Sequence, residues 1–374
     1  MVKKYDAIVI GGGVMGGSTA FQLSKKGYRT LVLEKDQLGG KASSAAAGMI
    51  GAQVELDSDS PMFQLARESR KQFPELAEEI KDLAGIDIGF RKNGMLKMAF
   101  TNEEREKFLK IIETQQQLGE QVDWLTPEEV INKEPLLSSS LKGAMYIEGD
   151  GQVSAPDFTM GLLKSAAALG TDLKEYCEVK GFLREGNRVI GVSTNEGNFY
   201  SHSVVVTAGA WTTQLIQESG LDLKGYPVKG ESFSVITHKP LLTHTIFSSS
   251  CYIVPKTGGR LIIGATVKPH SFSRSVSVEG IAQLMEEAKF ILPSIKETEW
   301  KKAWAGTRPQ SLDGLPYLGE HPEWSHLFIA NGHFRNGILL SPITGMIITD
   351  LIERKKTITD VEPFRIDRLF QQVK

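Results

Sequence analysis

Runs of apolar residues punctuated by glycine set the rhythm of this chain. Tyr5–Ile10 is such a run and reads as a buried strand, Gly17–Lys26 reads as a helix, and Thr30–Glu34 as a second strand. Gly11, Gly13 and Gly16 fall between the first strand and the helix, so the order is strand, glycine loop, helix, strand. Two later segments repeat an apolar strand followed by glycine. Ser203–Thr207 runs into Ala208, Gly209, Ala210 and Trp211, and Leu327–Ala330 runs into Asn331, Gly332 and His333. These three separated parts are expected to build one domain around one ligand. Elsewhere, Thr101–Gln117 and Ser277–Leu292 read as amphipathic charged helices. Met95–Ala99, Ser232–Thr237, Ile246–Val254 and Arg260–Ala265 are rich in β-branched and aromatic residues and read as strands. One sheet with helices on its outer face is the expected second unit.

The glycine loop carries the first chemistry. In G-x-G-x-x-G the first glycine permits a tight turn, the second lets the backbone approach a pyrophosphate, and the third lets helix and strand pack closely. The phosphates then sit on free N–H groups at the helix N-terminus. Glu34 ends the second strand 23 residues after Gly11, where a carboxylate can accept hydrogen bonds from an adenosine ribose. It would repel a 2′-phosphate, which argues against NADP. A glycine-rich turn without a ligand is the plain alternative. Gly39–Gly51 reads GGKASSAAAGMIG, nearly all small residues. Such a stretch lets backbone and a short helix approach a large flat ligand, which favours a flavin over NAD; a tightly packed turn and helix is the bland alternative. Near the C-terminus, Gly332–Gly337 is followed by the apolar run Ile338–Ile352, with Ser341 and Pro342 expected to open a helix. That helix would bring its positive dipole end to the ligand.

Composition narrows the class. The 374 residues hold 43 Lys+Arg against 45 Asp+Glu, a formal charge of −2, and 41% hydrophobic residues. A chain of this length and apolar content buries a large core, and the absence of a basic excess argues against nucleic acid or an anionic membrane as main partner. Two cysteines, Cys177 and Cys251, are too few for a disulfide framework and agree with a reducing compartment. The apolar stretch near the N-terminus ends in three glycines, too soon for a secretion signal. Gly337–Ile352 is broken by Ser341, Pro342, Thr344, Gly345, Thr349 and Asp350, short of the roughly 18 residues of a membrane helix. A cytoplasmic protein with no membrane partner is expected.

The residues Gly11–Gly16, Ser44–Met49, Pro227–Glu231, Cys251–Pro255, Trp304–Pro309 and Gly332–Leu340 together resemble FAD-dependent amine and amino-acid oxidases of the D-amino-acid oxidase superfamily, and most closely its bacterial glycine oxidase branch. The likeness spans the whole chain. It implies an α/β (α+β) fold: a Rossmann-like FAD domain, residues 1–86, 150–220 and 306–374, interleaved with a substrate domain on a mostly antiparallel sheet, residues 87–149 and 221–305. It also implies a homotetramer, FAD as cofactor, and oxidation of glycine to iminoacetate, with sarcosine and small D-amino acids as secondary substrates and O2 reduced to hydrogen peroxide, feeding thiazole formation for thiamine. Sarcosine oxidases of this superfamily attach FAD through a cysteine near the position of Trp304–Arg308, where this chain has none, so noncovalent FAD is expected. FAD contacts are implied for Gly11, Gly13, Val14, Met15, Gly16, Glu34 and Lys35, and for Ser43, Ser44, Ala47, Gly48 and Met49. Val179, Ala208, Gly209, Trp211, His333, Arg335, Asn336, Gly337 and Ile338 complete that set.

Moving hydride from an α-carbon to flavin N5 asks for no metal, nucleophile or side-chain acid or base, because the cofactor takes both electrons. The protein must supply placement. A planar guanidinium matches a substrate carboxylate with two parallel charge-assisted hydrogen bonds. The resemblance assigns that role to Arg308, with Tyr252 as second donor; the bare residues leave open a solvated surface arginine and a core tyrosine bonded to backbone. Arg335 is expected to orient the substrate amine, and Met49, Gly51 and Val267 to line the pocket. Some glycine oxidases carry a histidine where this chain has Ser250, which puts pocket polarity in question. Two other readings stay open: a dehydrogenase of the same fold that reduces a membrane quinone, and a non-catalytic FAD-binding module.

Overall fold

The computed structural model describes residues 4–369. Strand β1 (Lys4–Ile10), helix α1 (Val14–Lys25) and strand β2 (Thr30–Leu33) form the expected βαβ unit, β1 lying parallel to β2 and to Gly197–Val206. They belong to an eight-stranded sheet. Its main order is Tyr317–Glu320, Leu327–Asn331, Gly197–Val206, β1, β2, Asp172–Lys174, with the hairpin Val179–Glu185 and Arg188–Thr194 attached to Gly197–Val206. The central pairs are parallel and covered on both faces, which is why these strands read as unbroken apolar runs. On one face Val9, Val32 and Val205 meet Phe21, Leu162 and Ile343 from helices; on the other Ile8, Leu31 and Val204 meet Val189, Ile216 and Tyr317.

The last helix, Gly337–Ile352, begins one turn earlier than the sequence suggests, with Asn336 at its N-cap and Pro342 inside it. Proline cannot donate to the Ile338 carbonyl, so its position marked a helix start on local rules. Tertiary contacts override that rule. Ser341 Oγ donates to the Ile338 carbonyl at 3.0 Å, and Ser69 Oγ, from the helix Pro61–Lys71, donates to Leu339 at 2.6 Å. Gly345 lets α1 approach closely, since a Cβ there would lie 2.5 Å from Ser18 Oγ.

The second sheet has nine strands, antiparallel except where Thr245–Phe247 runs beside Met95–Ala99. Ile246–Val254 is not one strand as expected but two antiparallel ones, Thr245–Phe247 and Tyr252–Pro255. Ser248 makes the break: its hydroxyl accepts the Cys251 and Ser250 N–H groups, a local hydrogen-bonded turn that competes with the ladder. Helix Asn102–Gln117 opens with the capping box Thr101 and Glu104, and helix Val278–Ile291 with Ser277 as N-cap. Both bury apolar stripes against the sheet, through Phe108, Ile111 and Ile112 in one case and Ile281, Leu284 and Ile291 in the other. Strand Glu299–Ser311 pairs with Gly225–Ile236 in a register that sets Arg308 opposite Val228 and Gly306 opposite Gly230.

Candidate active site

A cavity of about 460 Å³ is lined by residues of both sheets. At one part of its wall is the glycine loop. Gly11 has φ 109°, and a Cβ on it would press to 2.6 Å from the Thr207 carbonyl, so the turn admits only glycine. Gly16 lies beneath the loop and does not line the cavity; a Cβ there would sit 1.9 Å from the Gly11 carbonyl, which is the helix-to-strand packing role of the third glycine. Gly13, Val14 and Met15 do line it, with the Val14 N–H donating to Ser43 Oγ at 2.9 Å. Glu34 is buried with its carboxylate accepting from the Gly12 and Asp36 N–H groups at 2.8 and 3.0 Å. Each oxygen keeps a lone pair for a further donor.

The small-residue segment forms a one-turn helix, Ala42–Ala45, that presses on strand Glu299–Ser311: a Cβ on Gly306 would lie 2.5 Å from that of Ala45, and Trp304 Nε1 donates to the Ala45 carbonyl at 2.9 Å. Ser43, Ala47, Gly48 and Met49 line the cavity with Lys35, Val179, Ala208, Gly209 and Trp211. Ser44 instead faces away and donates to the Lys41 carbonyl. His333, Arg335, Gly337 and Ile338 reach the cavity, and Asn336, at the N-cap position of the last helix, does not. Two buried polar atoms in the wall, Thr307 Oγ1 and Asn331 Oδ1, have no hydrogen-bond partner within the protein, as expected of groups that face a polar ligand. A phosphate-accepting helix start, a carboxylate with lone pairs to spare and orphaned donors and acceptors together fit FAD.

Arg308 and Tyr252 line the same cavity. Room for the guanidinium comes from Gly230, where a Cβ would fall 2.2 Å from Arg308 Nη2. The guanidinium donates to the Thr266 carbonyl at 3.3 Å, lies over the Phe334 ring, and has no carboxylate partner among the described residues. Burial, reinforced by the nearby Arg335 charge, pushes its pKa down. Glu55 also lines the cavity and is paired with Arg335 at 3.1 Å. Sequence reasoning missed Glu55, because its partner lies 280 residues away along the chain. The loop carrying it is held by Asp150, fully buried, which accepts the Gln53 and Val54 N–H groups and Arg70 Nη1.

Other candidates fall elsewhere. Gly51 packs on Val54 outside the cavity, and Val267 is 57% exposed. Ser250 is exposed and turned toward Ser248, away from the cavity. His333 bonds Thr344 Oγ1 at 3.0 Å, and burial pushes its pKa down to about 3, so the ring is neutral near pH 7. Cys177 lines the cavity beside Glu34, but burial raises its thiol pKa, as it does that of Cys251, pushed up to about 12. Neither is a ready nucleophile. Among the described residues no cluster suited to a metal ion occurs, and no helix is long and apolar enough to cross a membrane.

Comparison with known proteins gives a consistent picture. A glycine oxidase of Geobacillus kaustophilus is 47% identical over 370 residues, 98% of each chain. The crystal structure of glycine oxidase from that species superposes with a TM-score of 0.95 at 47% identity, covering 98% of this chain and 99% of that one. A bifunctional protein ThiO/ThiG of Trichormus variabilis is 31% identical over 98% of this chain and 55% of its own length. The family model described as FAD dependent oxidoreductase matches residues 6–351. With the βαβ phosphate loop and the cradle above it, this match establishes that the chain belongs to the FAD-dependent oxidoreductase family.

Proposed function

We propose that this enzyme oxidises the C–N bond of glycine to give iminoacetate, with sarcosine and small D-amino acids as secondary substrates and O2 reduced to hydrogen peroxide. The observation that carries the reading is the half-buried guanidinium of Arg308 in the cavity wall, which has no carboxylate partner among the described residues. A partly desolvated charge without a counter-ion is unfavourable, and a substrate carboxylate bound through two charge-assisted hydrogen bonds offsets that cost. The glycine oxidases among the relatives support the choice of substrate. The chemistry that FAD supplies when bound is acceptance of the α-carbon hydride and transfer of both electrons to O2.

The chain's own residues bind and orient. Arg308 and Tyr252 hold the carboxylate, Met49 contributes apolar wall, and Arg335, braced by Glu55, sets the loop that faces the amine. His333 is neutral and bonded to Thr344, so it takes no proton from the substrate near pH 7. The free amine is therefore selected from solution rather than generated in the site. FAD is held noncovalently by the residues that line the cradle. The division into residues 1–86, 150–220 and 306–374 against 87–149 and 221–305, a homotetramer in the cytoplasm, and delivery of the imine to thiazole formation for thiamine belong to the same reading.

Anaerobic mixing of the yellow protein with glycine, sarcosine, D-alanine and D-proline tests it. Glycine should bleach the flavin and oxygen should restore the colour with peroxide formed. If no member of the panel bleaches it, the protein is a binding module. If bleaching occurs but oxygen does not reverse it, the acceptor is another molecule.

A further inference from the structure

Between the strand Arg260–Gly264 and the helix Val278–Ile291 the chain makes an excursion, residues 265–277, that is exposed along most of its length. Both roots are tied to one buried carboxylate. Glu231 accepts the Ser277 N–H at 2.8 Å and Ser277 Oγ–H at 3.0 Å, while its own N–H donates to Thr266 Oγ1 at 2.9 Å. Lys229 pairs with it at 2.6 Å, and Gly280 makes the space, since a Cβ there would lie 2.0 Å from Glu231 Oε2. Thr266 also carries the carbonyl to which Arg308 donates.

The crown of the excursion returns to the cofactor side. Phe272 packs on Trp211 with ring centroids 5.6 Å apart, and Arg274 Nη2 donates to the Gly40 carbonyl at 3.1 Å. Trp211 and Gly40 both line the cavity. Lys35 lies over the Trp211 ring, 4.4 Å from its centroid, so groups from both units contact the indole. A mostly exposed segment of a dozen residues loses much chain entropy on ordering and buries little apolar area in return. Its directed contacts, not core packing, keep it in place.

We propose that residues 266–277 form a strap that retains FAD, with Glu231 as the anchor of its roots and Phe272 and Arg274 as its clasp. Opening the clasp frees Gly40 and Trp211, two residues of the cavity wall, from the second unit and loosens that wall around the cofactor, whereas the pinned roots keep the strap from leaving its hinge. The strap belongs to the cofactor site and is independent of the substrate assignment.

The test follows FAD release from the holoenzyme after dilution, read by recovery of flavin fluorescence, with no amino acid present. Phe272→Ala/Arg274→Ala should release FAD about tenfold faster than wild type, given one hydrogen bond and one aromatic contact removed. Arg274→Lys, which keeps a donor for the Gly40 carbonyl, should recover part of the difference. Val276→Ser, an exposed position in the same segment, should release FAD at the wild-type rate. Circular dichroism confirms that each variant is folded. Release from the double variant within twofold of wild type overturns the proposal, and so does equal acceleration by Val276→Ser.

Discussion

Replacing Arg308 by alanine has two consequences of opposite sign, and the structure sets both. With substrate held as proposed, the carboxylate would lose two charge-assisted hydrogen bonds in a site where burial already depresses the guanidinium pKa. The expected loss is about 2–5 kcal/mol. Since each 1.4 kcal/mol is about tenfold, kcat/KM for glycine should fall by roughly thirty-fold to several thousand-fold. Without substrate, the wild-type protein carries a half-buried cation bonded to a single carbonyl, and removing that charge relieves it. Arg308→Met, which keeps the volume, should therefore melt no lower than wild type and by up to about 1 kcal/mol more stably. Arg308→Lys should recover part of the activity, because a point charge keeps the attraction and loses the fork geometry. The assay is steady-state peroxide production for these variants and Tyr252→Phe, with flavin occupancy and melting temperature recorded for each. Should Arg308→Ala stay within about threefold of wild type while Tyr252→Phe is equally silent, the clamp lies elsewhere and Arg335 is the next candidate.

Four further outcomes are expected. Gly230→Ala drives a Cβ to 2.2 Å from Arg308 Nη2, so the guanidinium must shift; kcat/KM should drop about tenfold or more with FAD content intact. For glycine, kcat/KM should rise from neutral to mildly alkaline pH as the free amine accumulates, and a flat profile would reveal a side-chain base. Lys256, whose amine bonds the Val153 carbonyl, has its pKa pushed down to about 7 by burial, with Arg260 and Arg91 adding to the effect. The unfolded chain binds that proton up to its higher ordinary pKa, so wild-type stability rises with pH above about 7, and the stability advantage of Lys256→Met should be largest near pH 7 and shrink as pH rises toward 10. Finally, acid or heat should release FAD intact from the precipitated polypeptide, since Cys177 and Cys251 both hold their thiols protonated.

Much of the cofactor domain was legible because its signals are local. Gly11, Gly13 and Gly16 sit within six residues, Glu34 ends the next strand, and the apolar periodicity of Thr101–Gln117 marks a helix. Short-range sterics and hydrogen bonding decide such features, so the residues themselves announce them. The β-α-β unit, the phosphate loop, the buried strands and the capped helices were determined by the sequence. Only the tertiary structure decided the rest, wherever a partner arrives from far along the chain. Pro342 sits inside a helix because its neighbour Ser341 supplies the bond to the Ile338 carbonyl that it cannot, while Ser69 from another helix bridges Leu339 and Ile343 in the same turn. Gly51 faces Val54 and not the cavity because Asp150 folds the loop that carries both. Gly230 opens the space that Arg308 fills, Glu55 meets Arg335, and Glu231 ties both roots of one exposed segment. Each is a property of a pair or a register, set when two distant stretches of chain pack to one density, and periodicity along a single stretch carries no record of it.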